Sequence, residues 1–137
     1  MKNIIMLILM ALPILGLAQM NEKKNESYYK ITTKKCIPKK GYHLMLKQII
    51  LDSRCPEDVN CVWAGEIQVK LSLYQNQKFI VDKIITLSTK QNQEDIDWIN
   101  QYLPLKYGDF NRITAYPNPK KDIKINPKKY YLKLVAK

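Results

Sequence analysis

Cys36, His43, Cys55 and Cys61 are the side chains of this sequence best suited to metal or thiol chemistry. Three thiols and one imidazole are the donor inventory of a structural zinc site. The intervals between them, six, eleven and five residues, match no common zinc spacing, and an oxidising compartment would compete for the thiols. Asp52, Glu57, Asp58 and Asn60 offer the oxygen donors that calcium prefers, but without the glycine-turn spacing of the familiar calcium loop. His43 is the only histidine, lies in a strand-like run among leucines and has no adjacent nucleophile motif. There is no G-x-S-x-G, H-E-x-x-H or glycine-rich phosphate loop, and Cys55 and Cys61 are too widely spaced for a thioredoxin-like C-x-x-C pair. The sequence thus predicts a non-enzymatic protein with no cofactor and no metal. The alternative is a metal-binding or thiol-dependent periplasmic protein built on Cys36, His43, Cys55 and Cys61.

Residues 52–65, DSRCPEDVNCVWAG, concentrate two of the three cysteines, one of two arginines and one of two tryptophans. Cys55 and Cys61 enclose five residues in a connector between two strand patterns, where such neighbours readily come within disulfide reach. Cys36 is then left over, as a buried thiol, a reactive thiol or the true partner of one of the other two. Lysine outnumbers arginine 21 to 2, so Arg54 marks a place for a planar bidentate grip, with Asp52, Glu57, Asp58 and Glu66 as nearby carboxylates. Trp63 is expected to cover the disulfide and Gly65 to permit a backbone turn. Asp52, Arg54, Trp63 and Gly65 are therefore read as organisers of the loop.

The same stretch resembles a signature, roughly D-S-R-C-P-x-x-V-x-C-x-W-A-G, of small bacterial secreted proteins and lipoproteins with no established activity. The resemblance is specific over residues 52–65, looser through the strand that follows and absent elsewhere. It implies an exported β-rich domain in which Cys55 and Cys61 are paired, and it supplies no substrate or catalytic residue.

The ends of the chain carry the remaining information. Residues 1–18 have one lysine, an apolar run from Ile4 to Leu12, Pro13, and small residues at Gly16 and Ala18. This is the pattern of a secretory signal peptide, too short in its apolar run to span a bilayer. Cleavage after Ala18 would leave Gln19 first, with no cysteine for a lipid anchor and no transmembrane segment in the mature chain, so the expected location is periplasmic or secreted. Residues 19–27 read as a flexible leader, and residues 28–137 as one β-rich domain. Of a net charge of +11, most lies at the two ends of that domain. Tyr28 to Gln48 has six lysines and no acid, and Arg112 to Lys137 has eight bases against Asp122. The segment between them is acidic. Lys34, Lys35, Lys128 and Lys129 are the expected polyanion-binding residues, with an anionic envelope polymer or another protein as partner.

These features need elements to hold them. Ile67, Val69, Leu71 and Leu73 alternate with polar residues, as in a strand with one buried face. In residues 42–52, Tyr42, Leu44 and Leu46 share one parity and Ile49 and Leu51 the other, which predicts a bulge near Lys47 or Gln48. Residues 78–88 read as the second arm of a hairpin beginning after Tyr74, and Tyr28–Thr33, Asn111–Tyr116 and Lys129–Val135 as further strands. Trp98, Ile99, Tyr102 and Leu103 fall at helical spacing behind Asn92 as cap, predicting a short helix near residues 93–103. Three prolines in residues 117–127 suit a rigid connection lying at an edge. Six or seven short strands of this kind predict an all-β, sandwich-like domain.

Overall fold

Alternation in the sequence becomes two antiparallel sheets of three strands each in the computed structural model, which describes residues 28–34, 36–103 and 109–136. The expected signal peptide and leader lie outside the described residues. One sheet is a meander of β2 (Tyr42–Asp52), β3 (Ile67–Gln75) and β4 (Lys78–Leu87). The other has β6 (Tyr131–Ala136) at its centre, between β1 (Tyr28–Thr32) and β5 (Phe110–Tyr116). The first and last strands of the domain are therefore hydrogen-bonded neighbours. Ile67, Val69, Leu71 and Leu73 of β3 meet Leu132 and Leu134 of β6 in one core with Ile31, Leu44, Leu46, Ile85 and Ile113, all buried. Among the described residues the fold is an all-β sandwich with one short helix, as its periodicity predicts. Among the described residues, no helix is long and apolar enough to cross a membrane.

The hairpin between β3 and β4 turns on Asn76 and Gln77, both with positive φ. This is the tight two-residue connection whose twist suits antiparallel strands. The Asn76 N–H donates to the Gly41 carbonyl, and its side chain accepts from the Gly41 N–H. The helix α1 (Gln93–Tyr102) begins where Asn92 accepts from the Glu94 N–H at 3.0 Å. Its inward residues are Ile96 and Ile99, with Leu103 just beyond, while Trp98 and Tyr102 are only half-buried. Asp95 is also buried and forms an ion pair with Lys83 of β4 at 3.2 Å.

Two register shifts interrupt β2. The first, at Lys47, is where the change of parity predicts a bulge. The second falls between Ile49 and Leu51 and corrects the reading that grouped those two side chains. Ile49 faces Val69 on the core side, Leu51 is turned outward to 46 % exposure, and Asp52 stands opposite the buried Ile67. A strand has period two, so one extra residue sends every later side chain to the other face. The second bulge thereby brings a carboxylate to the core-facing side of the sheet.

Candidate functional site

Asp52 is the centre of the cysteine-loop anchorage. The loop continues the β2–β3 hairpin through backbone bonds from Ser53 N to Glu66 O and from Cys55 N to Ala64 O, both 2.9 Å. Arg54 lies beside Asp52 and grips it with two side-chain bonds, Nε to Oδ1 at 2.8 Å and Nη2 to Oδ2 at 2.7 Å. Its remaining donors cross to the other sheet, Nη1 to the Ala115 carbonyl at 2.6 Å and Nη2 to the Pro117 carbonyl at 2.9 Å. An ammonium lacks this planar fork, which explains an arginine in a lysine-rich chain. The Tyr130 hydroxyl donates to Asp52 Oδ2 at 2.9 Å. Burial pushes the Asp52 carboxyl upward, but hydrogen bonds from Arg54 and Tyr130 and the guanidinium charge outweigh it, so the pKa falls below the usual carboxylate value. The same contact, with burial as the larger cause, pushes Tyr130 up to about 12.

Arg54 also completes the outer edge of β5. A sheet edge exposes unpaired backbone groups that natural proteins cover or blunt. Here Asn100 bonds both the N–H and the carbonyl of Phe110, Gln91 does the same for Ile113, and Arg54 takes Ala115 and Pro117. Three side chains stand in for a missing strand. The individual residues were visible in the sequence, but their convergence on one edge was not, because they come from three separate elements.

Cys55 and Cys61 form a disulfide, and Cys36 is free and exposed. The bridge consumes two of the thiols in the zinc inventory. Among the described residues, no three histidine, cysteine or acidic side chains gather as a metal site. The calcium candidates are likewise dispersed. Asp52 serves Arg54, Glu57 accepts from the Asn118 side chain, and Asp58 accepts from the Lys121 N–H at 2.8 Å. His43 is half-buried opposite Tyr74, and burial lowers its pKa. Gly65 has φ +70°, and a Cβ there would collide with the Ser53 carbonyl. The close approach of the two loop arms therefore requires glycine. Trp63 corrects an expectation: at 69 % exposure it does not seal the disulfide, and Val62 beside it is fully exposed. The staple draws its order from Arg54, the disulfide and Gly65.

A cationic, tyrosine-lined surface lies on the outer face of the β1–β6–β5 sheet. Register places Tyr28, Val135 and Arg112 in one row across the strands, Lys30, Lys133 and Thr114 in the next, and Thr32, Tyr131 and Tyr116 in the third. Their neighbours along each strand, such as Ile31, Leu132 and Leu134, are buried, so these rows point away from the core. No acidic residue occurs in the three rows. Lys30 and Lys133 stand directly opposite one another, a pairing that costs stability. Tyrosine rings hold both: Lys30 Nζ lies 4.9 Å from the Tyr131 ring and 5.5 Å from that of Tyr28, and Lys133 Nζ lies 5.1 Å from the Tyr28 ring. Tyr116 stacks on Tyr131 with ring centres 5.4 Å apart. The other sheet differs, since its Lys47 is neutralised by Asp82 at 2.6 Å.

Of the lysines singled out from the sequence, Lys34, Lys128 and Lys129 adjoin this face at its Thr32–Tyr131 end. Lys34 follows β1, and Lys128 and Lys129 form a 3-10 turn, Pro127–Lys129, just before β6. The Thr33 hydroxyl bonds the Lys128 carbonyl at 3.2 Å, joining the two segments. Lys35 lies outside the described residues. Lys30, Lys133, Arg112 and the three tyrosines escaped the sequence reading because they are scattered among strands whose pairing order only the fold supplies. The alternation of lysine and tyrosine within YYK and YYLK was the available signal. No protein-family model, curated protein or solved structure matches this chain.

Proposed function

We propose that this chain is an exported, non-enzymatic β-domain that binds an anionic polymer of the cell envelope or extracellular space through the outer face of the β1–β6–β5 sheet. One observation carries the reading: two lysines opposed across adjacent strands, held over tyrosine rings, on a face without an acid. Cations placed together at a cost to folding are what a polyanion site requires, because the ligand supplies the missing countercharge. Export is supported by the pattern of residues 1–18, and the Cys55–Cys61 bridge suits an oxidising compartment. Lys34, Lys128 and Lys129 extend the cationic track at one end, and Lys35 adds to its charge in sequence.

Heparin, as a model polyanion, tests the reading. The chain should be retained and then released at modest salt, since binding of this kind is driven by counterion release. Lys30→Gln with Lys133→Gln should lower the slope of log K against log salt by about 1.4, taking roughly 0.7 per cation from single-stranded nucleic acids. Retention unchanged in this double variant would refute the assignment. Full exposure of Val62 beside Trp63 favours a second reading, in which the loop tip docks on a partner protein. Trp63→Ala would then abolish recovery of one defined envelope protein without altering the unfolding curve; recovery unchanged would dismiss it.

A further inference from the structure

The connection between β5 and β6 leaves the basic face immediately after Tyr116 and folds into a surface hollow of about 320 Å³. This is at the lower end of the range for small-ligand pockets. Lys120, Lys124 and Lys129 line it, with Asn126 and the exposed Ile123, and no acidic residue contributes to its wall. The Asn126 side-chain oxygen is occupied by the Lys128 N–H at 3.0 Å, so the group it can still offer a ligand is its NH2. Three lysines and an amide NH2 supply the hollow's donors, set in a wall that is otherwise largely apolar, from Pro117, Ile123 and Ile125.

A surface connection of this length is ordinarily the least fixed part of a small domain. Here the cysteine loop fixes it. Arg54 holds the Pro117 carbonyl, the Glu57 N–H donates to the Pro119 carbonyl at 3.0 Å, Asn118 donates to the Glu57 carboxylate, and the Lys121 N–H donates to Asp58. Asp122 takes a left-handed conformation, φ 58°, inside the turn that brings Lys120 and Ile123 together as a bridge. Glu57 and Asp58 are engaged with this backbone and with Asn118, and neither lines the hollow. The staple at residues 52–65 thus acts as the scaffold of a cationic cavity. A preorganised cavity binds more tightly than a floppy one because less ordering is left to the moment of binding.

We propose that this hollow is a discrete site for one multiply charged tetrahedral oxyanion, a phosphate or sulfate group. It adjoins the sheet face and would take a terminal or branching group of the polymer bound there. The proposal deepens the polyanion reading and rests on it for the identity of the ligand, but the hollow can be tested separately.

Titration calorimetry of the mature chain with inorganic tripolyphosphate, inorganic phosphate and inorganic sulfate, alongside heparin chromatography, separates the two sites. Wild-type protein should bind tripolyphosphate at one site. Binding of inorganic phosphate or of sulfate distinguishes the two sources of the group. Lys120→Gln with Lys124→Gln, both exposed, should weaken tripolyphosphate by about tenfold while largely preserving heparin retention. Lys30→Gln with Lys133→Gln should do the reverse. Asp58→Asn, which keeps an acceptor for the Lys121 N–H, should retain binding, whereas Asp58→Ala should weaken it without loss of the folded state in circular dichroism. Heparin binding without tripolyphosphate binding would overturn the hollow and leave the sheet face standing. Tripolyphosphate without heparin would overturn the sheet-face reading and leave the hollow. Equal losses from the two lysine pairs would show diffuse attraction and overturn the discrete site.

Discussion

Truncating Arg54 removes a counter-charge and two edge bonds at once. In Arg54→Ala, Asp52 keeps the Tyr130 hydroxyl and the residue 54 N–H as donors, but its side chain, 12 % exposed, has no cation. The Ala115 and Pro117 carbonyls also lose their donors. Removing one partner of a buried pair costs about 3–5 kcal/mol, and a stranded carbonyl adds about 1 kcal/mol where water does not replace the lost donor. Arg54 itself is 16 % exposed, so some water will reach the vacated space. We therefore expect a loss of about 3–5 kcal/mol in total. Arg54→Lys retains the charge but cannot hold two carboxylate oxygens and two carbonyls in one plane, and should cost about 1.5–3 kcal/mol. Urea titrations followed by tryptophan fluorescence measure both, with the slope m expected to stay constant. A cycle with Asp52→Asn should give a coupling energy of about 2 kcal/mol or more. An Arg54→Ala loss below about 1 kcal/mol, or a lysine variant indistinguishable from wild type, would refute the proposed edge closure.

Tyr130 has a folded pKa of about 12, above its unfolded value of 10.0, so its contribution is complete below pH 10 and should fade as pH rises towards 12. Tyr130→Phe should remove that alkaline decline in a pH series of melting temperatures. Asp52 has the opposite sign: its lowered folded pKa gives stability above the ordinary carboxylate range that is lost as pH falls through the folded value, and Asp52→Asn should flatten the acid limb. Gly65→Ala should destabilise by at least about 1–3 kcal/mol in urea, since it combines a left-handed φ with a backbone collision. Trp63→Ala should shift stability by no more than about 0.5 kcal/mol, and a larger loss would mean that the exposed indole is packed after all. Non-reduced peptide mapping should find Cys55 joined to Cys61 and Cys36 as the one alkylatable thiol; removing the bridge should cost about 2–2.5 kcal/mol.

The strands were legible because their signal is local. Alternation in Ile67–Leu73 marks a half-buried strand whatever lies beside it. Asn92 before an acidic first turn marks a helix start, and the change of parity after Leu46 marks a bulge. The second bulge was not legible: Ile50 and Leu51 are both apolar yet both exposed, so hydrophobicity does not reveal where the strand changes face. Only pairing with Gln68 and Ile67 decides it, and with it the inward position of Asp52.

A similar boundary divides the sites. The unusual composition of residues 52–65 announced a staple, and the rarity of arginine announced a fork, because both depend on residue type alone. What the fork holds depends on β5, which lies some sixty residues further along the chain. Trp63 was misassigned because an indole next to a cysteine has the same sequence whether it covers the bridge or faces water. The basic ends were plain from counting charges, yet a count does not say that β1 and β6 would become neighbours. Strand order is set by how both sheets jointly bury Ile31, Leu132, Leu134 and the inner face of β3. That burial belongs to the whole chain, and it brings Lys30, Lys133 and the tyrosines onto one face.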